Sequence, residues 1–159
     1  MFMNSLFPSD VGMSHVRGVV KIIKENGGNI SISKLAEESE EDVDDLLPLI
    51  DACRLLGFIK VTRSRLKLTD KGEAIIKGSS RSVIRQALPG IEPFKSVIKA
   101  LSGGSKTTSE LAEYLKEKGL LIEKPELENE KLINLLRVWG VRSKLLSYDE
   151  ESESWMLVG

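Results

Sequence analysis

The sequence predicts an α+β fold, mostly α, built from two small units in tandem. Apolar residues recur every three or four positions through several segments, which is the spacing of amphipathic helices. At two places this spacing gives way to an alternation with a period of two, which is typical of strands. A pattern of Gly-Gly followed by Leu-Ala also occurs twice. A chain of 159 residues with 41% hydrophobic composition can build either one ordinary core or two small ones.

Two helices are predicted before residue 40. Ser9 or Asp10 is expected to cap the first helix, and Gly27-Gly28 to end it. After a short extended stretch at 29–32, Ser33 is expected to cap a brief second helix that turns Leu35-Ala36 inward. The apolar face of the first helix consists of Val16, Val19, Val20, Ile22 and Ile23.

The third helix is predicted to carry an apolar stripe into the core and to end at Gly57. Pro48 lies inside the pattern, so we expect a kink or a later helix start, because proline removes one helical hydrogen bond. The stripe consists of Val43, Leu46, Leu47, Ile50, Cys53 and Leu56.

A hairpin is predicted after Gly57, with two alternating strands around a turn at Arg63-Ser64. Thr69 is then expected to cap a short helix that runs to Lys77. Three helices followed by a hairpin is the element order of the winged-helix fold, a variant of the helix-turn-helix. The sequence therefore predicts a first winged-helix unit over residues 9–78, after an N-terminal arm at 1–8.

An internal repeat predicts the second unit. Gly27-Gly28 and Leu35-Ala36 recur as Gly103-Gly104 and Leu111-Ala112, each 76 positions further on (103 minus 27). A chance match is the competing explanation, but a similar order of elements follows: a loop at 119–128, a last helix capped by Asn129 and a second wing at 145–158. We predict a second winged-helix unit over residues 91–159, joined to the first by a connecting helix at 79–90.

The scarcity of reactive side chains argues against catalysis. Cys53 is the single cysteine and His15 the single histidine, so neither an internal disulfide nor a Cys/His metal site can be assembled. The segment from Gly103 to Thr108 lacks the glycine spacing of a phosphate-binding loop. We therefore predict that the chain is not an enzyme and has no catalytic, cofactor-binding or metal-binding residues.

Net charge and hydropathy indicate in which compartment the protein works and which partners it attracts. The 23 basic and 24 acidic residues give a net charge of -1, which leaves no overall field to attract a polyanion. No apolar run approaches the roughly 18 residues of a membrane helix, and the first residues lack the pattern of a signal peptide. A cytoplasmic protein without membrane insertion is expected.

The densest charge cluster is acidic and lies at the start of the third helix. Acidic residues there complement the helix dipole. A calcium-binding loop would need a glycine at its sharp turn, and this segment has none. In a groove-reading winged helix this end meets the bases, where carboxylates would repel phosphates. We therefore predict an acidic docking surface consisting of Glu40, Glu41, Asp42, Asp44 and Asp45.

The second candidate surface is basic and lies mainly on the first wing. Alternating Lys and Arg on a hairpin could contact a phosphate backbone or a minor groove, or could protect a strand pair from aggregation. The second unit adds basic residues around its last helix, next to carboxylates. The candidate partner or nucleic-acid surface consists of Lys60, Arg63, Arg65, Lys67, Arg137, Arg142 and Lys144.

Several short motifs together resemble a known family. They are Leu46-Leu47-Pro48, Leu56-Gly57-Phe58, Leu68-Thr69 before Gly72, Trp139-Gly140, and Tyr148-Asp149-Glu150. From about Val11 to Leu157 the pattern resembles the AAA-associated C-terminal domain, which follows the ATP-binding cassette of nitrate/sulfonate/taurine-type ABC transporter ATPases. This sequence contains no such cassette. The resemblance therefore implies a regulatory or docking role beside an ATPase, and no ATP hydrolysis by these residues.

Three classes of function stay open at this stage. The leading hypothesis is a non-catalytic regulatory or adaptor protein that binds a partner protein, an ABC-type ATPase, through its third helix and its basic wing. The alternative is a DNA-binding transcriptional regulator. A third class is a sensor that holds a small effector between the two units, and a homodimer is compatible with all three.

Overall fold

Eight α-helices and two small antiparallel sheets make up the part of the chain that the structure describes. The structure, a computed structural model, describes residues 6–78, 80–120 and 125–158, without the side chains of 125–128. The predicted α+β, mostly helical fold class is confirmed. None of the described helices is long and apolar enough to cross a membrane.

The first half of the chain forms three helices and a three-stranded sheet, followed by two more helices. Its elements are α1 (Met13–Glu25), β1 (Asn29–Ser31), α2 (Ile32–Ser39), α3 (Val43–Leu55), β2 (Ile59–Thr62), β3 (Arg65–Leu68), α4 (Asp70–Lys77) and α5 (Ser80–Ala87).

The second half begins with a 3₁₀ turn at Leu88–Gly90 and then repeats the order of α1 to β3. A π-helical turn at Leu136–Val141 extends its third helix. Its other elements are α6 (Phe94–Leu101), β4 (Lys106–Thr107), α7 (Thr108–Glu117), α8 (Pro125–Leu135), β5 (Leu146–Asp149) and β6 (Ser154–Leu157).

Both sheets place their last strand in the centre, in the orders β1-β3-β2 and β4-β6-β5. Their registers also agree, because the residue before the second helix pairs with the first residue of the central strand. Ser31 lies opposite Arg65, and Thr107 lies opposite Ser154. The sequence predicted two-stranded hairpins. The sequence did not place β1 and β4 in the sheets, because segments of three and two residues are too short to show an alternation.

The caps of the second helices follow the internal repeat. The Ser31 side chain accepts a hydrogen bond from the Lys34 backbone N–H at 3.0 Å, and the Thr107 side chain accepts one from the Glu110 N–H at 3.2 Å. Glu110 in turn accepts the Thr107 N–H at 3.0 Å, which completes a capping box and lowers the pKa of Glu110. The predicted cap at Ser33 was wrong, since α2 begins just after Ser31.

Two other helix starts differ from the prediction. Helix α1 begins at Met13 after Gly12, which has no side chain to cap it, so the expected cap at Ser9 or Asp10 was wrong. Helix α8 begins at Pro125, before the predicted cap Asn129, and proline is favoured in the first helical turn because the backbone N–H there needs no helical partner. Part of the predicted loop at 119–128, residues 121–124, lies outside the described residues.

Helix α3 continues through Pro48 without a break. Pro48 is exposed, so water can satisfy the carbonyl that its missing N–H leaves free. Leu46, Ile50 and Cys53 are buried as the stripe predicted. Val43 is 41% exposed and does not belong to the core, so its assignment to the stripe was wrong.

A short segment before α1 joins the two halves in one apolar core. Phe7 is 3% exposed, and its ring centroid lies 5.8 Å from that of Phe94 and 4.7 Å from that of Trp139, in edge-to-face geometry. The Phe7 N–H donates to the Glu92 carbonyl at 2.8 Å, and the Trp139 Nε1–H donates to the Val11 carbonyl at 2.8 Å. The buried residues of both halves form a single cluster. Of the predicted arm at 1–8, only 6–8 are described.

Alanine substitution at two helical glycines should have opposite effects. At Gly72 in α4, an added Cβ would meet the Phe58 carbonyl oxygen and lie 2.6 Å from Leu68 Cδ1, whereas at Gly18 in α1 nothing lies within 4 Å. We expect Gly72→Ala to lower the free energy of unfolding by about 2 kcal/mol or more because of overpacking. We expect Gly18→Ala to raise it by roughly 0.5 to 1 kcal/mol through helix propensity. Urea denaturation followed by circular dichroism measures both free energies, and a Gly72→Ala variant at least as stable as the wild type would contradict the close packing at Gly72.

Truncation of Phe7 should destabilise the whole chain. Phe7→Ala removes a ring buried between Phe94 and Trp139, so we expect a loss of about 3 to 5 kcal/mol. The control Val43→Ala truncates an exposed apolar side chain and should change stability by no more than about 0.5 kcal/mol. Calorimetry of both variants checks this expectation. A wild-type melting temperature for Phe7→Ala would show that the segment does not pack into the core.

Candidate functional site

The acidic cluster lies on the connection from α2 to α3 and on the first turn of α3. All six residues from Glu40 to Asp45 are exposed. Glu40 has a left-handed backbone (φ 58°) that ends α2 and turns the chain toward α3. We call the five carboxylates in this stretch the acidic surface, and none of them forms an ion pair with a described cation. They are Glu40, Glu41, Asp42, Asp44 and Asp45.

The acidic surface combines free carboxylates with an exposed apolar side chain. Asp42 occupies the N-cap position of α3, but its side chain makes no capping hydrogen bond. Asp44 and Asp45 lie in the first turn, where the helix dipole favours negative charge. Val43 lies among them with 41% of its surface exposed. The dipole explains why the helix tolerates these charges, and all of them remain exposed to solvent.

Four cations project from the outer face of the N-terminal sheet and its turn, and we call them the cationic face: Lys60, Arg63, Arg65 and Lys67. All four are exposed, while their neighbours Ile59 and Leu66 point into the core, as the predicted alternation requires. None of the four forms an ion pair with a described carboxylate. Arg65 and Lys67 lie on the central strand β3, so they cannot serve to protect an exposed strand edge.

Neutral polar side chains of β1 complete the cationic face. Asn29 pairs with Lys67, and Ser31 pairs with Arg65. Arg65 Nε donates a hydrogen bond to Asn29 Oδ1 at 2.8 Å, which holds the guanidinium over the sheet. No residue in the three strands or the Arg63-Ser64 turn is acidic. Sequence reasoning missed Asn29 and Ser31 because it did not place β1 in the sheet.

Two of the cations are direct cross-strand neighbours. Lys60 on β2 lies opposite Lys67 on β3, and like charges in this position destabilise a sheet. In the C-terminal sheet the equivalent pair is Ser147 and Met156. The fold therefore does not need cations at this register. The first sheet carries a charge repulsion that its structural counterpart lacks.

The remaining predicted basic residues lie on the second half. Arg137 is exposed on the π-helical turn, and its guanidinium carbon lies 5.1 Å from the centroid of the Tyr148 ring. Arg142 and Lys144 are exposed just after this turn, where Lys144 adopts a left-handed backbone (φ 65°). None of the three belongs to the N-terminal sheet.

The described residues offer few groups for chemistry. They contain no set of three or more His, Cys, Asp or Glu side chains that could hold a metal ion. Cys53 is buried in the core, and this burial raises its pKa to about 12, so the thiol stays protonated at neutral pH. An open groove of about 600 Å³ lies at α6 and α7, lined partly by Lys99, Lys106, Glu113 and Tyr114. The side chains that line this groove include both cations and carboxylates, so the groove favours neither sign of ligand charge.

Comparison with known families gives one match. The model of the C-terminal AAA-associated domain matches residues 33–149, about three quarters of the chain. The chain belongs to this family. The resemblance seen in the sequence is thereby confirmed, and it indicates a module associated with ABC transporters. The matched range of the AAA-associated domain contains the five carboxylates of the acidic surface and the four cations of the cationic face. No curated protein and no solved structure matches the chain significantly.

The repulsion between Lys60 and Lys67 should be measurable as a coupling energy. Lys60→Glu and Lys67→Glu each replace a like-charge pair by an opposite-charge pair, so each should raise the free energy of unfolding by roughly 0.2 to 1 kcal/mol. The double variant restores a like-charge pair and should lose this gain. Urea midpoints at low and at 1 M salt test the cycle, and the gains should shrink at high salt. Additive effects in the double variant would show that the two side chains do not interact.

Proposed function

We propose that this chain is a non-catalytic, cytoplasmic adaptor whose acidic surface binds a partner protein, an ABC-type ATPase. In this proposal each half is a winged-helix unit used for protein docking. The element order α-β-α-α-β-β and the placement of the last strand in the centre of each sheet support the winged-helix assignment. The family supports the choice of an ABC-type ATPase.

The observation that carries the proposal is the combination of Val43 with five carboxylates that have no ion-pair partner among the described residues. Specific protein interfaces join a small apolar centre to a polar rim, and complementary charge speeds the encounter of the two proteins. A partner with basic side chains around an apolar pocket would fit this surface.

The alternative of a sequence-reading transcriptional regulator is less well supported. A helix that reads bases enters the major groove by its N-terminal end, and most of its supporting contacts go to phosphates. In α3 that end carries Asp42, Asp44 and Asp45, which would face the phosphates with like charge. The same charges favour a basic protein partner.

Binding to a purified ABC-type ATPase subunit of the same organism tests the proposal. We expect the variant D42N/D44N/D45N to bind at least about tenfold more weakly, since close charge pairs across an interface contribute several kcal/mol in favourable cases. Val43→Ser should weaken binding as well. Biolayer interferometry with the full chain gives the dissociation constants.

The matched control is E150Q/E151Q/E153Q. It removes three exposed carboxylates from the β5-β6 turn and changes the net charge by the same amount. We expect it to bind within about twofold of the wild type, because rim charges away from the interface contribute little. Equal weakening in both triple variants, or the absence of a complex at micromolar concentrations, would contradict the proposal.

A further inference from the structure

The cationic face presents an ordered array of donors that the proposed docking function does not use. Neighbouring strands lie about 4.8 Å apart, and residues two apart on one strand lie about 6.7 Å apart. Lys60, Lys67 and Asn29 therefore form one row across the sheet, and Arg65 starts a second row beside it. Arg63 extends the array at the turn. The array contains cations and neutral donors, and no carboxylate.

Edge protection can account for Lys60, which lies on the edge strand β2, but not for the two cations of the central strand, Arg65 and Lys67. Lys60 and Lys67 repel each other across the strands, and Arg65 and Lys67 lie on a central strand that has no edge to protect. The C-terminal sheet, with the same strand order and register, has Met156 in place of Lys67. Without a ligand, the pairing of Lys60 with Lys67 only lowers stability. An anionic ligand bound beside Lys60 and Lys67 would offset their mutual repulsion, because it would attract both side chains.

The chemistry of the array favours one class of anion. The centre of a protein interface is usually apolar, and the cationic face, unlike the acidic surface with Val43, has no exposed apolar side chain to form one, so a protein partner fits poorly. Single-stranded nucleic acid is held by aromatic side chains that stack on bases, and the cationic face has none. Membrane surfaces are bound most firmly when apolar side chains insert beside the cations, and this face has no exposed apolar residue. Phosphates of duplex nucleic acid are contacted mainly by Lys, Arg, Asn, Ser and Thr, which are the residue types present.

We infer that the cationic face binds the phosphate backbone of duplex nucleic acid without reading its bases. The net charge of -1 gives no general attraction, so binding depends on this face being presented to the duplex. Four phosphate contacts predict a slope of about -3.6 for the logarithm of the binding constant against the logarithm of salt concentration. The binding uses residues separate from the acidic surface, so the failure of one proposal would leave the other unaffected.

Fluorescence anisotropy of a labelled random-sequence duplex, titrated with the full chain at several salt concentrations, tests this inference. The variant K60Q/R65Q/K67Q removes three of the four cations. We expect at least about a tenfold loss of affinity at low salt and a salt slope reduced to about -0.9. The control K95Q/K99Q/K116Q removes three exposed cations of α6 and α7 and has the same net charge. It should keep the wild-type affinity and slope.

Each other outcome would overturn the inference. Failure to bind the duplex at low salt would exclude the ligand, and equal loss in both triple variants would assign the binding to net charge alone. Stronger binding to vesicles containing about 30% phosphatidylserine than to the duplex would assign the face to a membrane surface. Tighter binding to a single strand of the same sequence would contradict backbone recognition of a duplex. Thermal melts of all variants check that each remains folded.

Discussion

The contact of Phe7 with Phe94 and Trp139 holds this structure together. The N-terminal segment precedes α1 in the chain, yet its aromatic ring lies in the core of the second half. The hydrogen bond from Trp139 to the Val11 carbonyl fixes the same segment at its other end. Because α1 follows directly, these contacts set the position of the first sheet and of α3 relative to the second half, together with α5, which packs on α4 and on the 3₁₀ turn at Leu88–Gly90. The relative positions of surfaces on the two halves follow from this packing.

The near-zero net charge conceals two surfaces of opposite sign. Five carboxylates gather at the start of α3, where the helix dipole tolerates them, and four cations gather on the outer face of the first sheet. At physiological ionic strength charges more than about 8 Å apart are largely screened from each other. The net charge of the whole chain therefore does not describe the electrostatic field close to either surface.

Sequence reasoning was most successful where periodicity runs through many residues. The apolar stripe of α3 and the strand alternation around Arg63-Ser64 both appear in the structure. The shortest elements, β1 and β4, were missed because two or three residues carry no period. The position of the cap at Ser31 was missed for a related reason, since Ser33 has the same local chemistry and only the strand pairing of Ser31 distinguishes them. The exposure of Val43 was missed because it fits the stripe by spacing.

The fold class, the family and the charged residues of both surfaces could be predicted from the sequence, because helical spacing, strand alternation and charge clusters are local properties of the chain. Tertiary structure alone decided that β1 adds Asn29 and Ser31 to the cationic face. It also decided that Phe7 joins the two halves. These facts depend on strand register and on packing between residues far apart in the chain. Such contacts arise from burying the whole apolar core together, and no local pattern encodes them.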